Sequence, residues 1–132
     1  MPNLKSLQIS DMHIVTGGLK HFRNVNGLTR VQVSGFGEKG NLDDALTGLE
    51  NLNVPDLYFS TSLLTDKGLV HMKNIMALRR LTIHNTKGVT DAGLVHLRGL
   101  TNLQSLHFAS STRVTDQGKA ELRKHLPNCK IN

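Results

Sequence analysis

The phrase L-x-x-L-x-[apolar] occurs five times in this chain, at Leu4-Leu7-Ile9, Leu28-Val31-Val33, Val54-Leu57-Phe59, Leu78-Leu81-Ile83 and Leu103-Leu106-Phe108. Successive first positions lie 24, 26, 24 and 25 residues apart. Spacing this steady points to one supersecondary unit used repeatedly rather than to five unrelated elements. Such a unit cannot bury its apolar side alone, so neighbours must stack and share one continuous core. With aromatic residues at 4% and Trp absent, that core has to be built from aliphatic side chains in thin, regular layers.

Between strand phrases, apolar residues fall at intervals of three: Leu19, Phe22, Val25; Leu46, Leu49, Leu52; Leu69, Met72, Ile75; Leu94, Leu97, Leu100. The last segment offers Leu122 and Leu126 instead. These read as helical phrases. Three of them open with T-D-x-G, at Thr65-Asp66, Thr90-Asp91 and Thr115-Asp116. Thr suits the N-cap, where its hydroxyl accepts from an orphan backbone N–H, and Asp suits the positive end of the helix dipole.

On these residues the chain resembles the leucine-rich repeat family, in the bacterial-type form marked VTDxGLxxL, and is also similar to the repeats of F-box leucine-rich proteins. LLTDKGLVHM and GVTDAGLVHL match best, and VTDQGKAEL departs by carrying Lys119 in place of Leu. VTGGL (15–19) and LDDAL (42–46) lack the full T-D-x-G. The resemblance implies an α/β fold, a right-handed solenoid with a parallel sheet on the concave face and helices on the convex face. It would form a single domain over 1–132, of five units of about 25 residues at 2–26, 27–52, 53–76, 77–101 and 102–126, with a C-terminal end at 127–132.

Pro127-Asn128-Cys129-Lys130 lines up with Pro2-Asn3-Leu4-Lys5, which makes Cys129 a small apolar plug in an aborted sixth unit. At the start, Met1 falls where a preceding helix would end. This suggests a piece of a longer array, or a first coil covered by another chain, so self-association through the N-terminal coil is one expectation. A lone cysteine excludes an internal disulfide, and neither a secretory leader pattern nor an apolar run long enough for a bilayer is present. An intracellular, soluble chain with no membrane segment is the expectation.

Several features resemble chemistry. GFGEKG, with Gly35, Gly37 and Gly40, satisfies G-x-G-x-x-G after the apolar run VQV. A dinucleotide site needs those glycines at the helix start, however, and here the helical phrase begins only near Leu42, so a repeat loop is expected. His21, His71 and His96 share one position on successive helical phrases, a row too widely spaced for a common metal ion. His84 and His107 fall on adjacent strands at diagonal positions, without a Cys or convergent carboxylates beside them. No catalytic set, cofactor or metal is expected.

Alternation along the strands assigns the outward columns. They are Ser6, Arg30, Asp56, Arg80, Ser105; then Gln8, Gln32, Tyr58, Thr82, His107; then Ser10, Ser34, Ser60, His84, Ala109. Asp56 between Arg30 and Arg80 should form a charge ladder, and Tyr and Arg are the residue types enriched in interface hot spots. The expected contact surface is therefore Arg30, Gln32, Asp56, Tyr58, Arg80, Thr82, His84 and His107, binding a protein partner. A net charge of +6 would suit an acidic one. The remaining basic residues, among them Lys20, Arg23, Lys67, Lys73, Arg98, Lys119, Arg123 and Lys124, scatter over the helical side among acids. That dispersion argues against nucleic acid, whose readers concentrate charge and interleave aromatics. The alternative is a structural segment that stacks on further repeats.

Overall fold

Every strand phrase forms a strand, and the apolar periodicity of two sets which way each strand faces. The computed structural model describes residues 4–10, 25–35, 42–109 and 113–132. Its strands are β1 (Ser6–Ser10), β2 (Arg30–Gly35), β3 (Asp56–Thr61), β4 (Arg80–His84), β5 (Ser105–Ala109) and β6 (Lys130–Ile131). They make one sheet in chain order, every neighbouring pair parallel. Val31, Leu57, Leu81 and Leu106 align in one buried layer, and Val33, Phe59, Ile83 and Phe108 in the next. Leu28, Val54, Leu78 and Leu103 bury the approach to each strand. Leu7 and Ile9 of β1 are only partly buried against this core.

Parallel neighbours require crossovers, and the helical phrases supply them. Between β2 and β3 lie α1 (Leu42–Ala45) and a 3-10 turn at Leu49–Asn51; between β3 and β4 lie α2 (Asp66–Leu69) and a 3-10 turn at Val70–Met72. A longer 3-10 segment, Asp91–Leu97, links β4 to β5, and α3 (Asp116–His125) links β5 to β6. The apolar interval fits the Asp91–Leu97 segment and α3 best. Residues three apart eclipse in a 3-10 helix, so Leu94, Leu97 and Leu100 all face the core. Leu122 and Leu126, four apart, suit the α-helical pitch and are buried from α3. The helical phrase of the first unit, Leu19 and Phe22, lies outside the described residues.

The Thr of T-D-x-G acts as expected. Thr65, Thr90 and Thr115 have extended backbones and accept from Lys67, Ala92 and Gly118 N–H at 3.2, 3.2 and 3.0 Å. The Asp does more than face a dipole. Asp66 accepts from the N–H (2.7 Å) and the hydroxyl (2.6 Å) of Thr90 in the following unit, and Asp91 does the same for Thr115 at 2.8 and 2.6 Å. Asp43 holds Thr65 in the same way, so LDDAL supplies this bond without the Thr and Gly.

Each carboxylate also lies against the glycine of the following motif. A Cβ on Gly68, Gly93 or Gly118 would collide with the oxygen of Asp43, Asp66 or Asp91 respectively. The exception in the sequence obeys the same rule. Three residues before the first helical Leu, where the later copies carry Asp43, Asp66 and Asp91, the sequence of copy one has Thr16. Copy two has Leu42 and Ala45 where Thr and Gly stand in the later motifs.

Cys129 is buried, and its N–H donates to Leu126 C=O as that of Leu103 does to Leu100 C=O. The strand after it is one residue tighter than the sequence alignment implies, because Lys130 pairs with Ser105 and Ile131 with Leu106. Burial pushes the Cys129 thiol pKa up, which suits a packing role. Charged stems from α3 cover this end: Arg123 donates to Ile131 C=O at 2.7 Å, and Lys119 Nζ stands 5.9 Å from the Phe108 ring centre.

Candidate binding face

The sheet face opposite the core carries all eight residues expected to form the contact surface, in the expected register. Ser6, Arg30, Asp56, Arg80 and Ser105 stand opposite one another, as do Gln8, Gln32, Tyr58, Thr82 and His107. Arg30 and Arg80 are exposed; Gln32, Asp56, Tyr58, Thr82, His84 and His107 are partly buried. Asp56 Oδ2 lies 3.8 Å from Arg30 Nε and 3.7 Å from Arg80 Nη1. Both distances are ionic contacts too long for hydrogen bonds.

Tyr58 organises the middle of the face. The Arg30 guanidinium carbon sits 5.8 Å from its ring centre, and its hydroxyl lies 3.4 Å from His84 Nδ1. His84 is tilted against Tyr58 at 5.3 Å between ring centres and meets His107 edge-on at 5.5 Å. The two imidazoles are thus closer than their diagonal strand positions imply, because the rings lean towards each other. Asn85 follows β4 with φ 58°, a left-handed conformation Asn tolerates, and its side-chain amide donates to Ser60 Oγ at 3.1 Å.

No protein-family model matches the sequence, and no curated protein does. Among solved structures, a leucine-rich repeat protein of Leptospira interrogans superposes with a TM-score of 0.52 at 19% identity. The match covers 86% of this chain and 27% of that one. The chain has a leucine-rich repeat fold. At that identity the likeness speaks for the architecture alone, and the repeat geometry explains the side-chain placement: identical backbone units set matching strand positions in rows.

Within this leucine-rich repeat sheet, burial lowers the pKa of His84, and the neighbouring His107 lowers it further. His84 Nε2 is buried without a hydrogen-bond partner among the described residues. Below about pH 6.5 an unfolded His84 takes up a proton that the folded one resists. The folded chain therefore gains stability as pH rises through that window and loses it as pH falls. Urea midpoints measured from about pH 7.5 down to about pH 5.5 should fall further for the wild type than for His84→Gln. Parallel curves would remove His84 as the cause.

The other candidates disperse. His71 Nδ1 lies 3.8 Å from Glu50 Oε2, and His96 is partly buried on the neighbouring crossover; His21 is outside the described residues. Gly35 ends β2 at φ 152°, whereas Gly37 and Gly40 are outside the described residues. Among the described residues no group of three or more His, Cys, Asp or Glu could hold a metal, and no helix is long and apolar enough to cross a membrane. An open furrow of about 330 Å³ between Asp91–Leu97 and α3 is lined by Asp91, Arg98 and Glu121. Asp91 is already bonded to Thr115 and Glu121 to Lys124.

Two members of the face were missed by sequence reasoning. Lys130 enters it because β6 adds a sixth strand, whose Lys-Ile is too short to satisfy the strand phrase. Asn85 joins it through the turn after β4, which alternation does not reach.

Proposed function

We propose that this chain is a non-catalytic protein-interaction module, which captures a protein partner on its sheet face at Arg30, Gln32, Asp56, Tyr58, Arg80, Thr82, His84 and His107. The observation that carries this reading is the Tyr58 cluster. A tyrosine flanked by a guanidinium and the His84 imidazole, which in turn meets His107, is mounted on hydrogen-bonded central strands, so little side-chain order has to be gained on binding. The reading treats 1–132 as one right-handed domain of five full units, the hand being that usual for crossovers between parallel strands. It places the module inside the cell, where a lone buried thiol stays reduced.

Immobilised wild-type chain should capture a partner that Tyr58→Ala with Arg80→Ala loses and that Lys67→Ala with Lys73→Ala, on the helical side, retains. The thermal midpoints of these variants should stay within a few degrees. Capture unchanged by the sheet-face pair would exclude this face.

A second reading, a stacking segment of a longer array, is favoured by one observation: Leu4, Leu7 and Ile9 at the β1 end of the core remain partly exposed. Concentration-dependent mass in light scattering supports it, and a monomer at high concentration counts against it.

A further inference from the structure

Arg30, Arg80 and Lys130 occupy the same strand position on β2, β4 and β6, with Asp56 and Ser105 between them. Strands lie ~4.8 Å apart, so the backbone positions of these three residues repeat roughly every 9.6 Å along a line across the sheet. The Arg30 and Arg80 side chains lean towards Asp56 Oδ2 between them, at 3.8 and 3.7 Å. The Arg30 and Arg80 side chains are 48% and 65% exposed, and one carboxylate serves both. Lys130 is exposed and has no ion partner among the described residues. Beside this line runs a second one without fixed cations, in which Gln32, Tyr58 and Thr82 present amide, phenol and hydroxyl groups.

We infer that the partner is recognised through an acidic, proline-containing segment in the polyproline II conformation, laid across the strands with a carboxylate at every third residue. This rests on the sheet face being the binding surface. Polyproline II has three residues per turn and rises ~3.1 Å per residue, so every third side chain returns to the same side after ~9.3 Å. That repeat matches the spacing of the three strand positions from which the exposed cationic side chains project. A β-strand ligand does not match, because residues three apart point to opposite sides.

The polyproline backbone forms no internal hydrogen bonds, so its carbonyls are free to accept from Gln32, Tyr58 and Thr82. Its pyrrolidine rings pack on aromatic surface, here the Tyr58–His84–His107 array. Tyr58 is the one phenyl-type ring on this face among the described residues, whereas single-stranded nucleic acid is held by several stacked rings.

The test uses the full chain and fluorescein-labelled synthetic peptides followed by anisotropy at moderate salt. A peptide of four Glu-Pro-Pro repeats should bind at least about tenfold more tightly than one of equal length and charge whose four Glu are contiguous. Arg80→Gln and Lys130→Gln should each weaken it about threefold to tenfold, and a Gln-Pro-Pro peptide should not bind measurably. Equal affinity for the clustered peptide, indifference to both substitutions, or tighter binding of an oligothymidine would overturn the inference.

The capture experiment separates the two claims. A partner that needs Tyr58 but ignores Arg80→Gln and Lys130→Gln leaves the sheet face standing and removes the acidic polyproline segment. A partner that ignores every sheet-face substitution removes both.

Discussion

Gly93→Ala is expected to lower the unfolding free energy by about 2–3 kcal/mol, although alanine is ordinarily the better helix former by ~1 kcal/mol. The added Cβ would overlap Asp66 Oδ1, come within 2.9 Å of Asp66 Cγ and within 2.8 Å of Leu69 Cδ1. Leu69 can rotate, but Asp66 is fixed by two bonds to Thr90, so relief requires giving up bonds that join one unit to the next. Asp66→Ala alone should also destabilise, since it leaves the Thr90 N–H and hydroxyl without their acceptor. The double variant should be less damaging than the sum, with a coupling of about 1–2 kcal/mol measured by urea unfolding. Strictly additive effects would show that the carboxylate and the glycine do not share one packing constraint.

This clasp shows which parts of the architecture can be read from the chain and which cannot. The strands, their register and their two faces follow from period-two alternation, and the crossovers follow from the apolar helical phrases, whose spacing does not separate 3-10 from α. The role of Asp66 does not follow from its local surroundings, because its partner is 24 residues away and becomes a neighbour only when units stack. A signal did exist, in the joint departure of Asp, Thr and Gly between copies one and two, but without stacked geometry it resembles ordinary degeneracy. The face divides in the same way. Its columns were legible from alternation, whereas the contacts joining Tyr58, His84 and His107 depend on ring tilts that spacing does not encode. Lys130 became visible only with β6.

Phe59→Ala and Tyr58→Ala, at adjacent positions, should differ more sharply than any other neighbouring pair on β3. Phe59 is fully buried between Val33 and Ile83 on the sheet's inner side, and removing its ring should cost about 3–5 kcal/mol through lost transfer energy and the cavity left behind. Tyr58 points to the other side, where its ring is partly solvated and its hydroxyl contact to His84 is long. Its removal should cost about 1 kcal/mol or less in stability and should act on ligand affinity instead. Urea unfolding of the two variants, together with anisotropy of the Glu-Pro-Pro peptide, separates these outcomes. A comparable stability loss at both positions would mean that the Tyr58 cluster is part of the core. In that case the arginines flanking it would be holding the sheet together rather than offering themselves to a partner.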